Sequence, residues 1–140
     1  MPATMKIKTS VDVPISRVQD MLCCAFEGGS NYWYMIEKFH KPTEFVNLSD
    51  QPYDDKKPQI FRHIDYPTNP GGYLIVSDAK QAEGKDIKKV TLDLDACQRG
   101  LHVMAEKYPR HFSAMMTEND DAETGDVFLQ CCLFGELVYG

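Results

Sequence analysis

The sequence predicts an α+β fold: a small antiparallel sheet, made of an N-terminal strand, a hairpin and one short further strand, packed against N-terminal and C-terminal helices. Three observations predict it. Residues 5–13 alternate apolar and polar side chains with period two, the mark of a half-buried strand. Apolar residues recur at helical spacing after Pro14 and again through the last third of the chain. Strand-like and helix-like stretches come in blocks rather than in strict alternation, which argues against a doubly wound parallel sheet. No internal repeat, low-complexity tract or linker divides the 140 residues, so they read as one domain, 1–140.

Taken in order, Met5, Ile7, Thr9, Val11 and Val13 form one face of the first strand, with Lys6, Lys8, Ser10 and Asp12 on the other. Its lysines would guard a sheet edge. From Pro14, which a helix tolerates at its entrance, Ile15, Val18, Leu22, Ala25 and Phe26 make a helical stripe that should stop at Gly28-Gly29. Ser30 or Asn31 can cap a second short helix, with Trp33, Ile36 and Phe39 inward and Pro42 closing it. Residues 43–58 carry turn chemistry and no apolar period, so they read as an exposed loop. Residues 59–65 and 73–78 are rich in Ile, Phe, Tyr and Val and read as a hairpin, followed by a short strand over 88–92. Asp93 or Asp95 can cap a helix bearing Leu94, Cys97, Leu101, Met104, Ala105 and Tyr108, within which Gly100 marks a weak point or a close helix approach. Pro109 breaks or kinks that helix. A last helix opens at Thr124, and the apolar tail that it leads into is expected to pack into the core, with self-association through this helix as the alternative.

Fifteen basic against 21 acidic side chains leave a net charge of −6, which argues against a nonspecific grip on nucleic acid or an anionic membrane. The five cysteines are odd in number, lie in apolar stretches and include no CxxC, so they read as small buried hydrophobes of a reducing cytosol rather than a disulfide framework or metal site. The longest unbroken apolar run, residues 21–26, is far short of the ~20 needed to span a bilayer, and no secretory leader is expected at the start.

Two strings are candidates for function. Gly28, Gly29, Ser30, Asn31, Tyr32 and Trp33 combine consecutive glycines, able to turn backbone N–H groups toward an anion at a helix entrance, with aromatics able to stack a ring. They lack the lysine and spacing of a phosphate loop, so a tight turn with core anchors competes with a nucleotide or signal-molecule site. Asp120, Asp121, Glu123 and Asp126 gather at the start of the last helix, where negative charge is favoured by the helix dipole, and Asp54 and Asp55 lie in the loop. Together these six read as an acidic partner-binding patch. As a calcium loop the segment fails, since Ala122 and Cys131 fall at liganding positions. No nucleophile elbow or HExxH is present, and His40, His63, His102 and His111 are scattered. The expectation is therefore no catalytic residue, no cofactor and no metal, with an enzyme whose site is assembled only in the fold as the remaining alternative.

The strings AFEGGSNYW (residues 25–33) and AEKYPRHF…ENDDAETGDVFLQCCLFGELVYG (from Ala105 to Gly140) resemble small proteins encoded by phages, prophages and other mobile elements, and cover about a third of the chain. Small acidic proteins of that kind resemble inhibitors of host defence, anti-CRISPR proteins among them, which bind and block rather than catalyse. The resemblance implies a protein of the bacterial host cytoplasm. Its partner would be a host defence protein or nucleoprotein, with a Cas9-type nuclease first, whose basic nucleic-acid channel the acidic residues would mask. It transfers no catalytic residue.

Overall fold

A computed structural model describes residues 3–43, 62–80 and 89–140. The order is α1 (Ile15–Cys24), a π-helical turn (Ala25–Gly29), β1 (Tyr34–His40), a 3-10 turn (His63–Asp65), β2 (Tyr73–Asp78), β3 (Lys89–Leu92), α2 (Leu94–Lys107), α3 (Pro109–Met116) and α4 (Ala122–Phe134). The three strands form an antiparallel sheet in the order β1-β2-β3, so the α+β class holds.

The core is built around α4. Its segment Val-Phe-Leu-Gln-Cys-Cys-Leu is apolar nearly all round, and every residue from Thr124 to Leu133 is buried. Such a helix has no wet face and must be enclosed. Helices α1, α2 and α3, the π-helical turn and β3 enclose it. Small residues let the neighbours approach: Gly125 lies against Cys24 and Ala25 of the α1 end, Gly29 against the Ala122 carbonyl, and Gly100 of α2 against Cys132. The close-approach reading of Gly100 is therefore correct. The sheet supplies Leu74, Val76 and Leu92 to the same core.

Several elements follow the sequence closely. Asp93 caps α2 by accepting from the Ala96 N–H at 2.9 Å, and Pro109 separates α2 from α3, whose first turn needs no N–H there. Helix α4 starts slightly earlier than expected, capped by Asp121, whose carboxylate accepts from the Thr124 N–H at 2.9 Å. All five cysteines are free thiols, with Cys97, Cys131 and Cys132 buried and Cys23 and Cys24 half-buried. Among the described residues no helix is long and apolar enough to cross a membrane.

Four expectations are corrected. Residues 3–14 form no strand, and Met5 and Ile7 are 92% and 83% exposed, because the alternating segment finds no ladder partner in this sheet. The predicted second helix is β1 instead: a run of aromatic and β-branched residues fits a pleated surface, and Tyr34 and Ile36 alternate inward while Met35 and Glu37 face out. The hairpin partner of β2 is β1, not residues 59–65, of which His63–Asp65 is a 3-10 turn and 59–61 lie outside the described residues. Helix α4 cannot serve as a self-association face, because its apolar sides are consumed within the chain. The loop assigned to 43–58 falls outside the described residues beyond Thr43.

Alanine is favoured over glycine inside a helix by about 1 kcal/mol, so Gly125→Ala at an open position would stabilise. Here the added methyl would lie 2.5 Å from Cys24 Cβ and 2.8 Å from the Ala25 nitrogen. We expect destabilisation of about 1–3 kcal/mol in urea unfolding. A gain in stability would show that α1 is not pressed onto α4 at this point.

Candidate functional site

The two strings singled out in the sequence meet at Asp126. This carboxylate projects from the first half of α4 and is buried. Its Oδ1 accepts from Ser30 Oγ and from Trp33 Nε1, each at 2.7 Å, and its Oδ2 accepts from Tyr32 OH at 2.6 Å. Ser30 and Trp33 are themselves buried. The π-helical turn delivers them: Gly29 allows contact with Ala122, the Ser30 N–H closes back on the Ala25 carbonyl at 2.9 Å, and the chain then enters β1. Neutral donors thus replace water around a buried charge, which is what makes its burial tolerable.

This geometry decides what Gly28 to Trp33 can offer. Gly28 and Gly29 lie inside the π-helical turn, and a strand rather than a helix follows, so the expected anion site at a helix entrance does not form. Ser30 and Trp33 are committed to Asp126. Gly28, Asn31 and Tyr32 remain at the surface.

One turn along α4 from Asp126, the fully buried Gln130 holds the C-terminal segment. Its Oε1 accepts from the Val138 and Tyr139 N–H groups at 2.8 and 2.9 Å, and its Nε2 donates to the Tyr139 carbonyl at 3.1 Å. Tyr139 then spans to the sheet, donating to Asp78 Oδ2 at 2.5 Å, while its ring lies 6.0 Å from Trp33 and 6.5 Å from Tyr32. Lys80 Nζ sits 5.2 Å from the centroids of both Tyr32 and Tyr139, within cation–π range. Burial first, then the Asp126 carboxylate, pushes the Tyr32 phenol up to about 12; the hydrogen bond to Asp78 does the same for Tyr139, also to about 12.

The fold withdraws Asp126 from the acidic patch and leaves Asp120, Asp121 and Glu123 together at the entrance of α4. Asp54 and Asp55 lie outside the described residues. Asp126 is corrected from surface contact to internal anchor, since Ser30, Tyr32 and Trp33 occupy it. Asp120 is mostly buried and accepts from Arg17 at 3.2 Å; Arg17 also pairs with Asp20 and, at 3.9 Å, with Glu118. Asp121 caps α4, and the Thr124 backbone N–H holds its carboxyl below the ordinary carboxylate range. Glu123 is exposed. Burial, and next the Asp120 carboxylate, push the Cys24 thiol up, which keeps it protonated and unreactive at neutral pH.

An open cleft of about 220 Å³ lies between the turn before β2 and the start of α2, lined in part by Asn69, Tyr73, Asp93 and Asp95. Asp93 is committed there as the α2 cap. Among the described residues no group of three or more His, Cys, Asp or Glu is placed to hold a metal ion.

Sequence reasoning missed Asp78, Lys80, Gln130 and Tyr139. Gln130 had a signal, a lone amide inside an apolar helix, which must find partners when buried. Asp78 and Lys80 had none, because only folding brings the end of β2 beside the C-terminal segment. No protein-family model matches the chain, and neither does any curated protein or solved structure.

Replacing Asp126 with Ala leaves the buried Ser30 and Trp33 donors without an acceptor. We expect a loss of about 3–5 kcal/mol, read from denaturant unfolding followed by fluorescence of Trp33, the single tryptophan. An unchanged midpoint would remove Asp126 as the anchor. Alkali tests the same region. Both phenols are raised in the folded state, so their contribution is complete below the unfolded value near 10 and is lost as pH climbs through about 12. The melting temperature should hold up to about pH 10 and fall from there to about pH 12, and the Y32F/Y139F double variant should show a shallower fall. Equal slopes for the two proteins would contradict the assignment.

Proposed function

We propose that this chain is a binding protein rather than an enzyme, acting in the bacterial cytoplasm to block a host defence complex, with a Cas9-type nuclease as the first target to test. The observation that carries the reading is the acidic end of the helical layer. Glu118, Asp120, Asp121 and Glu123 follow one another through the α3–α4 turn and the start of α4, and three carboxylates, Asp20, Glu118 and Asp120, share one guanidinium, Arg17. Asp121 and Glu123 face solvent. On a chain of net charge −6, such an end is suited to a basic surface of the kind that handles nucleic acid, which it would occupy in place of the polyanion. The likeness of residues 25–33 and 105–140 to mobile-element proteins supports the choice of target.

The test is capture of defence nucleoproteins by the tagged chain at low and high salt, alongside a variant carrying Glu118→Gln, Asp121→Asn and Glu123→Gln. Asparagine remains a good helix cap, so α4 is preserved. Capture of a nuclease that weakens about tenfold in the variant, with a flatter salt dependence, is the expected outcome. Equal capture by both proteins would overturn the electrostatic mechanism.

A further inference from the structure

Residues 3–13 form an exposed arm with the composition of a strand and no strand to pair with. Met5, Ile7 and Val11 are 92%, 83% and 53% exposed, and Val13, at the arm's root, packs against the core beside Pro14. Alternation of this kind makes the segment able to join a pleated sheet with one apolar face. The sheet offers a matching edge. β1 pairs on one side with β2, and among the described residues its other side carries no strand. Its Met35 is 50% exposed, whereas Phe39, beyond the register shift, lies on the opposite face of the sheet beside the rings of His63 and Tyr66.

We propose that the arm of one chain adds as a fourth strand to β1 of a second copy, and that the exchange is reciprocal, giving a two-fold dimer. Three features favour a second copy as occupant. The arm carries two of the 15 basic side chains and one of the 21 acidic ones, so it is a net-positive strand on an otherwise acidic chain, while β1 itself carries one charge of each sign, Glu37 and Lys38. Lengths agree: residues 5–11 match the seven residues of β1, about 23 Å of strand, whereas β3 has only four. Reciprocity covers the apolar face of the arm and Met35 of the edge on both subunits, as an isologous interface requires. The acceptor strand already carries an irregularity between Ile36 and Lys38, where the register to β2 shifts, so the added strand pairs on either side of Glu37.

The experiment compares the full chain with two variants by sedimentation over a wide concentration range: Ile7→Lys with Val11→Lys in the arm, and Met35→Lys on the edge. All three side chains are at least half exposed in the single chain, so the monomer fold is preserved, which circular dichroism checks. The wild type should sediment at twice the chain mass, and each variant should dissociate at least about tenfold more readily. Amide exchange should show residues 5–11 protected in the wild-type dimer and open in the variants. A wild type that stays monomeric at every concentration overturns the proposal, as does a dimer that both variants leave intact. Protection of the arm in a monomer would also overturn it, by placing the strand on its own chain. These residues are separate from the acidic end, so the outcome is independent of the capture experiment.

Discussion

A carboxylate taken out of water costs several kcal/mol unless other donors take water's place, and that requirement at Asp126 organises much of this molecule. Ser30, Tyr32 and Trp33 meet it from a single turn of chain. To reach Asp126, that turn must leave the π-helical segment pressed against the start of α4, and Trp33 must point into the core just before β1 begins. The same carboxylate thus sets how α1 ends, where the sheet begins and how both lie on the central helix. Charge-assisted hydrogen bonds of 2.6–2.7 Å are directional, so they specify an arrangement where apolar packing alone would accept several.

Around this anchor, α4 behaves as an axle enclosed on all sides. Gln130 extends the polar thread along it and converts the last residues from a loose tail into a strap across Trp33 and Phe134. Tyr139 closes the strap on Asp78, which joins the helical layer to the sheet. Buried cysteines and glycines suit the same helix for one reason: small side chains let neighbouring backbones approach within the distance that dense packing demands.

The surface features that remain lie apart from this machinery. The acidic end is built at the α3–α4 turn, where carboxylates at a helix entrance are stabilised by the dipole whether or not a partner is present. The arm leaves from the N-terminal end of α1 through Pro14, and it is the one long segment whose apolar pattern the fold leaves unburied among the described residues.

The sequence by itself determined the class of the fold and most of the ends of the four helices α1 to α4, but it also read the segment that becomes β1 as a helix. Asp93 as a cap, Pro109 as a break, Gly100 as a close approach and the burial of the C-terminal helix all follow from local chemistry, because capping, proline geometry and helical period act within a few residues. The glycine-aromatic string and the acidic residues were also visible as unusual. What the tertiary structure alone decided is that Asp126 joins the two and is thereby withdrawn from the surface, since a buried carboxylate and an exposed one look alike in one dimension. It also decided strand pairing. Residues 5–13 carry the cleaner alternation yet stay unpaired, while residues 34–40, compatible with a helical stripe, become the partner of β2. A ladder is a contract between distant segments, and period two states only that a segment is able to join one.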